Sequence, residues 1–357
     1  MLMVLLAIIL TLVLVVGLHE AGHALAAKLF GVKIQRISIG FGKPIFSWKD
    51  RQGQEWVWAT WPLGGYVKLL NSRIQEVNPK DYSHCFDKRP AWQRIVILLA
   101  GGLANFLVAL LALTIFYMAG YQRVIPVIKE VMPNSIAAQA GLQPQDRFLS
   151  IANWPTNSWQ EVGNVLIVNL GKQDVAATVA DAKQSVKQVR LNLSGKFNKQ
   201  AKGLAGFLGI TLEKSAQYKE HVAPQSLITA IQHAVNTSWR MLVFLILTLK
   251  QVLIGAVSFS LLLGPIGLIS VSAGSLNQGF ITFLYFIANF SLAVGLVNLF
   301  PIPGLDGGSI VLTLLEKIRG RPISVALEIL MYRLAFIVFC VFLVQLIVND
   351  LQRFLVH

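Results

Sequence analysis

Apolar residues run almost unbroken through residues 1–17, 95–118, 281–300 and 330–348. A bilayer core about 30 Å thick is crossed by roughly 20 apolar residues in a helix, so these runs predict four transmembrane helices. Between them the period changes. Residues 32–70 alternate β-branched and aromatic with polar positions and are punctuated by Gly40, Gly42, Gly53, Gly64 and Gly65, a pattern of β-hairpins. Lys88-Arg89-Pro90 precedes the second apolar run and Gly120 follows it, both natural helix boundaries. Residues 121–215 are more polar and carry short strand-like runs at 124–131 and 186–193, which predicts a small folded domain outside the membrane. Residues 241–263 are apolar enough to span but carry Lys250 at their centre, at a cost of about 3 kcal/mol in a bilayer. The stretch 216–276 is therefore expected to be a linker followed by one or two amphipathic helices on the outer membrane surface.

Composition strengthens the membrane reading. Hydrophobic residues make up 55% of the 357 positions and charged residues 13%, too apolar for an ordinary soluble protein. The net charge of +14 would suit a nucleic-acid partner, but the cations cluster in loops beside the apolar runs. Lys33, Arg36, Lys43, Lys49, Arg51, Lys68, Arg73, Lys80, Lys88 and Arg89 lie between the first and second runs, and Lys317, Arg319 and Arg321 between the third and fourth. Positive loops stay inside, so both are expected in the cytoplasm, with the termini and residues 121–215 outside. The partner implied is the lipid bilayer, not a nucleic acid. Cys85 and Cys340 fall in different environments and are expected as free thiols. Ala24-Leu25-Ala26 resembles a signal-peptide cleavage site, but the first cation is Lys28, beyond the apolar run, which favours an uncleaved helix.

The candidate chemistry begins at His19-Glu20-Ala21-Gly22-His23, an H-E-x-x-H sequence. On a helix, residues four apart share a face, so both imidazoles can reach one metal ion, with Glu20 free to act as a general base. His19 lies roughly 27 Å along the first helix at 1.5 Å per residue, near the inner edge of the hydrocarbon. Ionisable groups at that depth are costly and mark functional sites; alternatively the helix emerges there and the histidines are interfacial. Two histidines need a third protein ligand. Asp306 stands where the third span ends, in Asn298-Leu299-Phe300-Pro301-Ile302-Pro303-Gly304-Leu305-Asp306-Gly307-Gly308. Pro301 and Pro303 break the helix, and unwound backbone at membrane depth is tolerated where it lines a cavity. A plain turn with a solvated aspartate is the competing reading.

Together, H-E-x-x-H in the first span and N-x-x-P-x-P-x-L-D-G in a later one resemble the site-2 protease family of intramembrane metalloproteases. Gly40-Phe41-Gly42 and Pro62-Leu63-Gly64-Gly65-Tyr66-Val67-Lys68 are similar to that family's membrane-associated β-hairpin. Ala100-Gly101-Gly102-Leu103-Ala104-Asn105-Phe106 resembles its second-span motif, with Gly102 where a proline is usual, and Leu263-Gly264-Pro265-Ile266-Gly267 its segment before the third span. Pro133-Asn134-Ser135-Ile136-Ala137-Ala138-Gln139-Ala140-Gly141-Leu142, continuing through Asp146-Arg147-Phe148, resembles a PDZ core, with Gln145 in place of the usual glycine. The bacterial branch that this arrangement looks like usually carries two such domains, and there is room here for one.

The fold implied is an α-helical polytopic membrane protein of about four spans, with a membrane-associated β-hairpin region and one external PDZ-like domain. Its parts are a first half of the membrane core (1–118), the PDZ-like domain (121–215), the linker with surface helices (216–276) and a second half of the core (277–357). The resemblance implies Zn2+ held by His19, His23 and Asp306, with Glu20 as base, hydrolysing transmembrane segments of single-span proteins in a bacterial inner membrane. Anti-sigma factors and remnant signal peptides are the substrates it implies. Protein or peptide ends would bind the PDZ-like domain, on the periplasmic side, with the active site near the cytoplasmic side. Gly64 and Gly65 of the hairpin offer an edge for substrate strand addition, and Asn298 a backbone ligand, though a plain helix-end role for Asn298 is equally open. Gly120-Tyr121 is a candidate binding loop of the outer domain. The rival readings are a transporter or channel with an ion pathway through the same His, Glu and Asp residues, and an inactive PDZ scaffold.

Overall fold

The computed structural model describes residues 2–51, 53–195, 203–213, 218–259 and 262–355. Among the described residues, four helices are long and apolar enough to cross a membrane: Leu2–Leu29, Ala91–Ala119, Phe280–Asn298 and Val325–Arg353. The chain is a multi-pass membrane protein. It divides into two compact units, one of residues 1–116, 230–238 and 263–357, the other of 117–229 and 239–262.

In the first unit the first span is not a uniform α-helix. It takes π-helical form over Leu12–Gly17, immediately before His19, and such widened turns occur mostly at functional sites. The span then continues to Leu29 and hands over to a turn at Gly31, whose φ of 66° suits glycine. Two long strands follow, β1 (Ile34–Lys49) and β2 (Glu55–Leu69), paired antiparallel from Ile34 opposite Leu69 to Lys49 opposite Glu55. Bulges between Phe41 and Phe46 fold the ladder back on itself, so that Arg36 to Ile39 meet both Glu55 to Trp58 and Gly65 to Lys68. The base of this hairpin packs Ile34, Ile37 and Val67 against Ala24, Ala27 and Ile97, joining it to the first and second spans. Its far end leaves Ile45, Phe46 and Trp61 exposed.

The returning loop is pinned by side chains. Asp87 accepts from the Ser72 N–H at 2.8 Å and the Ser72 hydroxyl at 2.6 Å. Burial pushes the Asp87 carboxyl up, but these two bonds and Lys88 outweigh it and hold the group below its ordinary value.

The stretch expected to hold surface helices through residue 276 contains two helices of different setting. Leu227–Leu253 is a helix capped by Ser226, with Lys250 near its C-terminal end rather than at the middle of a span. Pro265–Asn277 packs on the spans: Ala273 and Leu276 lie with Ala7 and Val15 of the first span and with Phe283 and Ile287 of the third, and Ser272 bonds Thr11 at 3.0 Å. The reason lies in the fourth span. The fully buried Asp350 carboxylate accepts from the N–H groups of Gly264 and Gly267, both at 2.9 Å, and so caps this helix from another element.

The second unit holds a four-stranded antiparallel sheet in the order Trp154–Pro155, Arg147–Ile151, Val175–Ala180, Val186–Leu191. Its core gathers Ile128, Phe148, Ile151, Leu166, Val179, Leu191 and Leu208. The strand-like run at 124–131 is two strands, Tyr121–Val124 and Ile128–Val131, because Pro126 cannot donate to a ladder. Gln145 takes a φ of 72°, a conformation that favours glycine, and the Tyr218 hydroxyl donates to its side chain at 2.5 Å. Gly120 has a φ of 73°, and a Cβ there would meet the Val222 carbonyl oxygen at 2.7 Å; packing alone requires this glycine. Residues 196–202 and 214–217, within or beside the expected 121–215 domain, lie outside the described residues.

Candidate active site

The first span delivers His19, Glu20 and His23 to one buried place, at 5%, 6% and 7% exposure. Asp306 comes from the first residue of the helix Asp306–Arg319. That helix can start there because Gly307 and Gly308 carry no side chain. A Cβ at either would strike the backbone carbonyl oxygens of Leu299 or Ile302, so the loop through Pro301 and Pro303 closes tightly beneath the carboxylate.

Three atoms face one another. His19 Nε2 lies 3.2 Å from His23 Nε2, and Asp306 Oδ2 lies 3.3 Å from the first and 3.2 Å from the second. The carboxylate oxygen is buried and makes no hydrogen bond of acceptable geometry with any described group. Such a buried acceptor is costly unless something satisfies it. Donors placed about 2.0 to 2.1 Å from a tetrahedral zinc ion are about 3.3 to 3.4 Å apart, so the observed triangle fits three edges of that tetrahedron. Among the described residues these three form the one metal-capable group of histidine, cysteine and acidic side chains.

Both imidazoles are turned toward this point by bonds on their far nitrogens. His23 Nδ1 donates to the Ile97 carbonyl at 2.8 Å. His19 Nδ1 lies 3.2 Å from the fully buried Asn105 amide; in the orientation that satisfies the whole amide, Asn105 Oδ1 accepts from His19 Nδ1 and Gly295 N, and Nδ2 donates to the Val15 carbonyl at 2.9 Å. These bonds place the proton on Nδ1 and leave each Nε2 lone pair free for a metal. The Val15 carbonyl belongs to the π-helical turn, which links that irregularity to the orientation of His19. Gly101 completes the arrangement, since a Cβ there would overlap both imidazole rings.

Glu20 points to the hairpin. Its carboxylate accepts from the Val67 N–H, and a Cβ on Gly65 would stand 3.1 Å from Glu20 Cγ. Gly64, with a φ of 109°, lies against the Phe41 ring. Asn298 closes the third span and is half-buried; the asparagine bonded to an imidazole is Asn105, which the sequence motif contained but which carried no role there. The N-glycine-rich second-span motif was its signal.

A buried carboxylate beside three donors that could hold one metal ion, in a chain with membrane-spanning helices, is the arrangement a membrane metallopeptidase requires. The profile of peptidase family M50 matches residues 7–343, and the chain belongs to that family. A Haemophilus influenzae protein named regulator of sigma E protease is 28% identical over 432 aligned positions, covering 97% of this chain and 98% of that one. A Salmonella typhimurium protein of the same name is 28% identical over 441 positions, with the same coverage. A Rhizobium meliloti protein whose name assigns it to the zinc metalloproteases is 30% identical over 360 positions, covering 96% and 94%. Alignments of 432 and 441 positions exceed the 357 residues of this chain, so the first two relatives carry segments that this chain lacks. The chain is a zinc metalloendopeptidase of the membrane.

Proposed function

We propose that this enzyme hydrolyses peptide bonds within or beside the transmembrane segments of other proteins, with His19, His23 and Asp306 holding the zinc ion and Glu20 acting as base. The observation that carries the reading is the triangle of donors, 3.2 to 3.3 Å on each side, with an otherwise unsatisfied Asp306 oxygen at one corner. Zinc, when bound, supplies a Lewis acid that polarises a carbonyl and lowers the pKa of water toward about 7. Glu20 takes a proton from the attacking water and returns it to the leaving amine. Asn105 and the Ile97 carbonyl hold the imidazoles in the ligating tautomer.

A helical substrate shields its peptide bonds by internal hydrogen bonds and must be drawn into an extended strand before attack. The stretch Gly65 to Leu69, at the side of the hairpin next to Glu20, is the edge on which a substrate strand adds. Gly64 and Gly65 keep that edge clear of side chains, and Asn298 binds substrate backbone through its amide. The basic loop between the first two spans faces the cytoplasm, which puts the metal centre near that side and the PDZ-like domain in the periplasm of a bacterial inner membrane. Support for a PDZ-like domain comes from the four-stranded sheet, the Ser135-capped turn Ile136–Gln139 and the glycine-like backbone of Gln145. It would bind protein or peptide ends and govern access. The names of the Haemophilus and Salmonella relatives tie those proteins to the regulation of sigma E; single-span anti-sigma factors and remnant signal peptides are the substrates this reading favours.

The test is metal content against cleavage. In purified protein, His19→Ala, His23→Ala and Asp306→Ala are each expected to lose zinc and activity together, whereas Glu20→Gln keeps zinc and loses cleavage. Full zinc content in Asp306→Ala would remove it from the ligand set.

A further inference from the structure

One face of the second span touches the whole metal centre. Ile97, Gly101 and Asn105 follow one another at i, i+4 and i+8, a single stripe at 3.6 residues per turn. Ile97 orients His23, Asn105 orients His19, and Gly101 admits both rings. One turn earlier on the same stripe stands Arg94, which has no place in the chemistry described so far. Its Nη1 donates to Glu316 Oε2 at 2.8 Å, and Glu316 lies on the helix that begins with Asp306. The second Glu316 oxygen accepts from Arg73 Nη1 at 2.7 Å. Arg73 in turn reaches Glu328 Oε2 at 3.1 Å and the Ile323 carbonyl.

We propose that Glu316, gripped by Arg94 and Arg73, is a positioning residue that sets the Asp306 helix in register with the second span, and so sets Asp306 in register with the two histidines. The inference rests on the reading that Asp306 is a zinc ligand. Its physical basis is direct. The three charged side chains are only 11% to 18% exposed, and each Glu316 oxygen has its own guanidinium, a charge-assisted pairing of the strong kind. Phe86 lies under the Arg94 guanidinium at 5.3 Å and narrows its freedom further. All three ligands are then referred to one helix: two through hydrogen bonds on their rings, the third through a clamp ten residues along its own helix.

The experiment uses the full chain purified in detergent, and measures zinc affinity by competition with a chromophoric chelator and coordination by the visible absorption of the cobalt-substituted protein. Glu316→Gln is expected to weaken zinc binding roughly 10- to 100-fold and to alter the cobalt spectrum, with Arg94→Lys in the same direction but less. Glu328→Gln, which removes another partner of Arg73 but leaves both Glu316 oxygens paired, is expected to leave both unchanged. Wild-type affinity and spectrum in Glu316→Gln overturn the proposal, as does an equal loss in Glu328→Gln, which would mark the network as a general fold support. Should Glu316→Gln fail to fold, Arg94→Lys against Glu328→Gln decides by the same criteria. Asp306→Asn is run alongside: if it binds zinc as wild type does, the ligand assignment falls and this inference with it; if it loses zinc while Glu316→Gln does not, this inference falls alone.

Discussion

At the scale of single residues, the centre depends as much on what holds the ligands as on the ligands. Removing the acceptor of His19 in Asn105→Ala is expected to lower zinc affinity roughly 10- to 100-fold, the usual cost of losing an outer partner of a metal-bound histidine; chelator competition measures it, and an unchanged affinity would show that His19 needs no such support. Gly101→Ala separates site from fold. Alanine is favoured over glycine in a helix by about 1 kcal/mol, yet its Cβ would overlap both imidazoles, which can swing aside. Zinc content should therefore fall while the melting temperature of the zinc-free protein does not. That His19, Glu20 and His23 come together is legible in the sequence because H-E-x-x-H is a local signal, residues four apart sharing one face of a helix. Asp306 was reachable only through topology. Asn105 stands in a recognisable second-span motif but its His19 partner is 86 positions away, and Arg94 and Glu316 pair across 222 positions with nothing local in their surroundings to announce it.

At the scale of elements, the four spans and the hairpin follow from hydrophobic length and strand alternation, and the structure agrees with both. Two features escaped that reading. The π-helical turn at Leu12–Gly17 sits in an ordinary-looking aliphatic run; what distinguishes it is Asn105 bonded to the Val15 carbonyl, a contact from another span. The helix Pro265–Asn277 falls in a stretch that Lys250 argues lies on the membrane surface, and the Asp350 carboxylate that caps this helix lies 83 to 86 residues away. The first and second spans meet at Gly22, where a Cβ would stand 2.5 Å from the Ala100 carbonyl oxygen and 2.8 Å from Ala104 Cβ. Close approach through small residues is how membrane helices pack. Gly22→Val is expected to destabilise the protein by about 1 to 3 kcal/mol, the ordinary cost of overpacking, and to lower its melting temperature in detergent. A melting temperature equal to wild type would mean that the spans do not pack at this point.

At the scale of the whole molecule, the proposed hydrolytic centre needs water on a chain built to exclude it, and its candidate ligands lie in the C-terminal half of the first span and at the start of the Asp306 helix. On the proposed reading the hairpin supplies the element that the spans cannot, an extended edge beside Glu20. The central claim is zinc-dependent cleavage of membrane segments, and it is tested most directly with the purified full chain in detergent and a single-span protein substrate. Wild type, Glu20→Gln and a chelated sample with zinc restored are compared, and the products are sized by mass spectrometry. The account predicts a cut within or beside the apolar segment that is absent in Glu20→Gln, lost on chelation and recovered with zinc. Equal cleavage by all three samples, or cuts confined to soluble regions of the substrate, would contradict it.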